Sequence, residues 1–245
     1  MSDQPRLTQR AVHEAKMLVH RAGFDVTRDA FKHRFVYQMR LHDIHTVLDI
    51  GANTGQFGRL LRRSGFTGRI HSVEPLQSAY TQLTAAAQHD SNWTVQRAAV
   101  SDEPGTITMN VSGNSVSSSV LPMMQRHADA APSAQYVASE DVPATTVDDI
   151  VAEHRLDPAG TLLKIDVQGY EKAVLDGAAK TVDRFQGVRV EMSLAPLYEG
   201  QVLMPELVDL LDQAGFEMWF VEPGFTDPVT RRLLQLDGVF FRRPS

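Results

Sequence analysis

The 245-residue chain contains no cysteine, which removes disulfides, thiolate nucleophiles and cysteine-ligated zinc from consideration. It is also short of positive charge: Lys and Arg number 24 against 30 Asp and Glu, for a formal net charge of −6. Domains that grip nucleic acid through its phosphates are ordinarily basic, so no nucleic-acid partner is expected. The basic pairs Arg62-Arg63 and Arg231-Arg232 are isolated and read as solvated helix faces. No apolar run approaches the ~20 residues a helix needs to cross a bilayer. Residues 1–10 are polar and hold no apolar signal-peptide core, so a cytoplasmic location is the expectation. The histidines form no HxH or HxxxH pair near the acids discussed below, which argues against a histidine-built metal site. What is present is a globular balance, 42% hydrophobic and 22% charged, on a chain long enough to bury a full core.

The most informative stretch is Val-Leu-Asp-Ile-Gly-Ala-Asn-Thr-Gly-Gln-Phe at 47–57. Val47, Leu48 and Ile50 read as a buried strand, and Phe57, Leu60 and Leu61 then follow at helical spacing. A strand passing through a glycine turn into a helix presents backbone N–H groups to a ligand, and Gly51 and Gly55 leave no Cβ to block it. Ala52, Asn53, Gln56 and Phe57 belong to the same expected cofactor loop. A dinucleotide fingerprint would carry glycine where this chain has Asp49, and a carboxylate there would repel a pyrophosphate. S-adenosylmethionine (SAM) has cationic groups and no phosphate, and it suits the loop better. Val73-Glu74-Pro75 follows about 25 residues after Asp49, roughly where nucleotide folds place a ribose-binding acid. Taken singly, Asp49 could be a strand-end acid capping the next helix and Glu74 a solvated loop acid. The pair at this spacing favours a cofactor role.

Along the chain, residues 11–42 show two amphipathic helical patterns broken near Gly23, read as a helical extension (1–42) packed ahead of the main domain (43–245). Strands are expected at 46–50, 69–73, 95–100, 106–111, 162–167, 188–192, 218–221 and 238–242. Helices are expected at 55–64, 76–88, 146–151, 170–180 and 205–214. Residues 112–143, rich in serine and punctuated by Pro122 and Pro132, read as an irregular, lid-like insert. The strand–helix alternation implies a largely parallel sheet with helices on both faces, closing with a reversed last strand. This is the α/β, Rossmann-like, seven-stranded architecture common among SAM methyltransferases.

Several motifs together resemble the FkbM-type SAM-dependent O-methyltransferases. They are the 47–57 loop, Val-Glu-Pro (73–75), Ala-Val-Ser-Asp (99–102), Asn114 with Ser117–Ser119, Leu-Lys-Ile-Asp-Val-Gln-Gly-Tyr-Glu (163–171), Leu-Tyr-Glu-Gly-Gln (197–201) and Leu-Asp-Gly-Val-Phe-Phe (236–241). The resemblance runs from about residue 40 to the end. It implies methyl transfer from SAM to a hydroxyl of a sugar, glycan, glycolipid or polyketide-like acceptor. By the family pattern, Asp102 receives the adenine amino group, with Ala99 and Val100 beside the ring. Gln168 is a departure, since the family often has glutamate there. If that acid helps bind metal or substrate, this chain has lost one contact. A divalent metal such as Mg2+ is not a fixed property of the family, and a homodimer is compatible with the sequence.

In an open parallel sheet the ligand lies outside the carboxyl ends of the strands. Asp49, Glu74, Asp102, Asp166 and Glu191 are all expected at such ends. Asp166 is the first candidate to orient or deprotonate the acceptor hydroxyl. Glu191 could share a metal with it or hold substrate, and Lys164 falls on the same strand face as Asp166. Lys164 could equally serve only to neutralise an acid, and Glu171 is expected to stabilise a helix N-terminus. Tyr198 and Glu199 are candidates for the acceptor pocket; His127 and His154 could also enter the site, but each reads more readily as a surface residue. The rival functions are an NAD-dependent oxidoreductase, weakened by Asp49, and a SAM-binding domain without turnover.

Overall fold

The structure is a computed structural model that describes residues 30–243. In chain order its first elements are α1 (Ala30–Leu41), β1 (Thr46–Ile50), α2 (Gln56–Arg63), β2 (Arg69–Val73), α3 (Gln77–Ala87), β3 (Trp93–Gln96), β4 (Ala99–Val100), β5 (Gly105–Ser112) and α4 (Gln125–Ala130). They are followed by β6 (Tyr136–Thr145), α5 (Val147–His154), β7 (Thr161–Ile165), α6 (Glu171–Asp176), β8 (Gly187–Ser193), α7 (Met204–Gln213), β9 (Phe216–Pro223) and β10 (Gln235–Arg242). The chain divides into two units, Met1–Phe35 and Val36–Ser245, so the division falls inside α1. Most of the helical extension expected at 1–42 lies outside the described residues.

The second unit is built on a seven-stranded sheet of order β3-β2-β1-β7-β8-β10-β9. Neighbours from β3 through β8 are parallel, and β10 runs antiparallel between β8 and β9. This is the expected α/β fold with its reversed last strand. β1 and β7 are buried along their whole length, which is why they read as near-continuous apolar runs. Chain order reverses at β1, which has β2 on one side and β7 on the other, and a crevice opens at such a point.

Two expectations need correction. The strand expected at 95–100 is two short strands broken at Arg97. β3 joins the main sheet, and β4 joins a three-stranded sheet of order β4-β6-β5. Arg97 anchors the break, its guanidinium donating to Pro75 O at 3.2 Å and to Glu140 at 2.6 Å. Nor is the stretch 112–143 irregular throughout. β6 occupies its end, pairing along β5, and α4 lies between them. β6 escapes sequence detection because a mostly exposed strand carrying Ser139, Glu140, Asp141 and Pro143 shows no apolar run.

Candidate active site

Strand register explains how the charged residues meet. Asp49 pairs with Ser72 on one side and Lys164 on the other, and Lys164 pairs with Arg189. One polar row therefore crosses the middle of the sheet. Side chains two residues on share the same face, so a second row follows towards the carboxyl edge: Glu74, Gly51, Asp166 and Glu191, with Asp237 opposite Glu191 on β10. Each cation of the first row thus stands one step beneath an acid of the second.

Lys164 is the hub of the first row. Its Nζ is 3.1 Å from Asp49 Oδ1 and 3.5 Å from Asp166 Oδ2, and it donates to Gly51 O at 2.9 Å. Burial opposes an ammonium here, but the charges of Asp49 and Asp166 outweigh it and raise the pKa of Lys164 above its ordinary value. Asp49 is fully buried, and its other oxygen accepts from Ser72 Oγ at 3.1 Å, which in turn accepts from Trp93 Nε1 at 3.0 Å. Arg189 lies within 2.9 Å of both Glu222 and Asp237, and its guanidinium is 4.9 Å from the centre of the Phe57 ring.

In the second row Gln168 joins two acids. Its Nε2 donates to Asp166 Oδ1 at 3.0 Å and to Glu191 Oε2 at 2.7 Å, while its Oε1 accepts from Tyr198 OH at 2.8 Å. Gln235 donates to the same Glu191 oxygen at 2.7 Å. Burial, followed by the charges of Asp166, Glu171 and Asp237, pushes the Glu191 pKa well above the usual carboxylate range. Glu74 is held by the N–H groups of Asn53 (2.8 Å) and Leu76 (3.0 Å), one to each carboxylate oxygen. Burial raises its pKa to about 7 despite those donors.

These rows floor a cavity of about 530 Å3, within the range of small-molecule sites. Gly51, Ala52, Asn53, Gln56 and Phe57 line it, and so do Glu74, Pro75, Ala99 and Val100. Lys164, Asp166 and Glu191 line it too. Asp49, Gly55 and Asp102 are not in its wall. Asp49 lies one layer behind, neutralised by Lys164, so the expectation that its carboxylate meets the ligand is corrected. Asp102 is exposed and accepts from Ser101 Oγ, which lies 3.1 Å from the hydroxyl of the wall residue Tyr170. Packing also requires the two loop glycines. A Cβ on Gly51 (φ 73°) would lie 1.9 Å from Asp166 O, and one on Gly55 (φ 85°) would press on Leu83 and Trp93. Tyr198 is fully buried behind Gln168, and neither it nor Glu199 lines the cavity.

The residues present do not fit the metal expected at Asp166 and Glu191. Among the described residues no group of three or more His, Asp or Glu side chains could hold a metal ion. The space between the two carboxylates is taken by the Gln168 amide, a donor to both.

Sequence reasoning missed several wall residues: Arg189, Glu222, Gln235 and Asp237. Arg189 had a signal, because Arg-Val-Glu at 189–191 repeats the Lys-Ile-Asp spacing of 164–166. His127, which reads more readily as a surface residue, is carried into the wall by α4, buried beside Tyr198 and Phe225.

Glu171 fastens the turn that presents Asp166. Its Oε1 accepts from Gly169 N at 3.0 Å and Val167 N at 3.3 Å, a more specific role than the expected helix-terminal charge. Burial raises its pKa from an ordinary 4.5 to about 7. The folded protein therefore holds this proton more tightly than the unfolded chain. Its contribution to stability is full below pH 4.5 and is lost as pH rises through about 7. Glu74 and Glu191 act in the same direction. Denaturant unfolding at pH 5 and pH 8 is expected to show lower stability at pH 8, with a smaller difference in Glu171→Gln. An equal difference in the two proteins would remove Glu171 from this account.

A search of curated proteins finds no match. Among solved structures, similarity extends to an rRNA methylase from Streptococcus thermophilus, with 11% identity over 90% of this chain and 99% of that one (TM-score 0.48). It extends also to a SAM-dependent methyltransferase from Aquifex aeolicus, with 11% identity, 86% and 89% coverage and a TM-score of 0.43. The family model described as the methyltransferase FkbM domain matches residues 49–218, a span from the Asp49 row to β9. The chain belongs to the FkbM methyltransferase family.

Proposed function

We propose that this protein is a SAM-dependent O-methyltransferase whose acceptor is a hydroxyl of a sugar or a polyhydroxylated natural product. The observation that carries the reading is the division of the cavity. We read its wall as two halves, with Glu74, the glycine loop and the apolar Val100 and Met109 as one and the Asp166–Glu191 row as the other.

The first half suits SAM on chemical grounds. Glu74 keeps lone pairs for ribose hydroxyls beyond its two backbone donors. Ala99, Val100 and Met109 offer apolar surface to a purine. The acids of the second row favour a sulfonium and an ammonium. SAM supplies the methyl group on sulfur, which an acceptor oxygen takes up. In the second half Asp166 receives the hydroxyl hydrogen bond and then its proton, with Lys164 3.5 Å away to steady the charge. Glu191, Gln235 and Ser117 place the remaining hydroxyls. The crowding of carboxylates disfavours phosphorylated acceptors. Residues 112–124 form a cover over this half. Asn53 Nδ2 donates to Ser115 O at 3.0 Å and Ser119 Oγ to Gln168 O at 2.7 Å, tying the segment to both halves. Among the described residues no helix is long and apolar enough to cross a membrane.

The test uses methyl-labelled SAM with sugar- and lipid-containing extracts, and identifies the bond formed in any labelled product. Label in a methyl ether supports the reading. SAM binding without any product would make the chain a non-catalytic binder, and a product methylated on nitrogen or carbon would overturn the O-specificity. In the same series Glu74→Ala is expected to weaken SAM binding by ~1.5–3 kcal/mol, the worth of charge-assisted hydrogen bonds. An unchanged dissociation constant by calorimetry would remove Glu74 from the cofactor half.

A further inference from the structure

We infer that Gln168 takes the place of a cation: its side-chain amide holds Asp166 and Glu191 together, and the site works without a divalent metal. Asp166 lies just past the end of β7, and Glu191 belongs to the neighbouring β8, so two acids face each other across the carboxyl edge of the sheet. Such a pair holds together only where its repulsion is relieved, by a proton on one acid, by a cation or by hydrogen-bond donors between them. In carboxylate metal centres the metal does this. Here both N–H bonds of one amide are spent on it, one on each acid, at 3.0 and 2.7 Å. The amide oxygen is engaged too, by Tyr198 OH. A cation bound between the two acids would have to expel a group whose hydrogen-bonding positions are already satisfied.

The backbone at this position is held as firmly. Gln168 has φ 56°, a left-handed conformation that costs a non-glycine residue and persists where its surroundings enforce it. Enforcement comes from Ser119 Oγ on its carbonyl and from the N–H of Gly169 fixed on Glu171. Tyr198, fully buried, presses from behind, since a Cβ on Gly169 would fall 2.8 Å from its ring. The amide is thereby aimed at the acids by contacts from three other chain segments. Gln168 is a positioning residue, because it acts through Asp166 and Glu191. The inference uses the proposed role of Asp166 only to say why the clamp matters, and its test reads cation binding rather than turnover.

Mn2+ alone serves as the probe, followed by electron paramagnetic resonance and by melting temperature. The wild-type protein is expected to bind no Mn2+ at this site and to melt at the same temperature with Mn2+ or EDTA. Gln168→Glu replaces the shared amide with a third carboxylate. It is expected to melt lower than wild type in EDTA and to gain a Mn2+ site, recovering roughly 5–10 °C at saturating metal. Gln168→Ala removes the clamp without adding a ligand and should gain no Mn2+ site. Two results would overturn the inference: a wild-type Mn2+ site that disappears in Glu191→Gln, or a folded Gln168→Glu protein indifferent to the metal. The wild-type measurement decides the matter even if the glutamate variant fails to fold. Loss of methyl transfer to hydroxyls would leave these results untouched.

Discussion

Asp166→Asn is expected to lose most methyl transfer, on the order of 10²–10⁴-fold, while retaining SAM affinity within about tenfold, under ~1.4 kcal/mol. The loss follows from what an asparagine can face. Asp166 meets the Gln168 amide at one oxygen and Lys164 Nζ near the other, both of which demand an acceptor. Asparagine has one carbonyl oxygen, so its NH2 must meet a donor or turn away. It also has no capacity to take a proton from the acceptor hydroxyl. SAM affinity is largely spared because Glu74, the loop backbone and the apolar wall, which supply most of the proposed SAM contacts, are unchanged. Single-turnover transfer of labelled methyl, read beside calorimetric SAM binding, separates the two effects. Turnover close to wild type would transfer the proton-accepting role to Glu191 or leave catalysis to positioning alone. Because Gln168 occupies the place of a metal, EDTA is expected to leave wild-type turnover unchanged.

The largest effect on stability is expected at Lys164. Lys164→Met keeps much of the side-chain volume but leaves Asp49 fully buried without its cation and Gly51 O without its donor. Removing one partner of a buried pair costs about 3–5 kcal/mol. Denaturant unfolding of Lys164→Met, Asp49→Asn and the double variant forms a cycle. The double variant should be more stable than the sum of the single losses implies, because the orphaned charge is then gone as well. Losses that simply add would show that the two side chains do not depend on each other, contrary to their 3.1 Å separation.

Much of this was legible in the sequence, for a physical reason. Buried parallel strands are rich in apolar residues, so β1, β2, β7 and β8 were readable, and the acids at their ends stood out against that background. The same reasoning put Glu74, Asp166 and Glu191 at one edge, where all three line the cavity. It failed at Asp49 because an acid within a strand and one just past its end look alike in sequence. Only the register with Lys164 shows which is buried. It failed over β6 because a strand with polar residues on an exposed face carries no periodic mark. Asp237 and Gln235 were out of reach for a different reason. They open the antiparallel strand β10, and only its reversal brings that opening to the edge where the parallel strands finish.

That reversal bears on how such a molecule can diversify. The half of the cavity read as the cofactor site is drawn from residues 51–109, and the half read as the acceptor site from 114–131 and 164–237. Substitutions accumulating in the later stretch, including the turn that joins β9 to β10, can remodel the acceptor's surroundings while the donor's stay intact. An ancestral chain could in this way explore new substrates by drift at one end of the pocket. Gln168 would resist such drift, since one amide there is shared by Asp166, Glu191 and Tyr198. Evolution at that position would have to change several side chains at once.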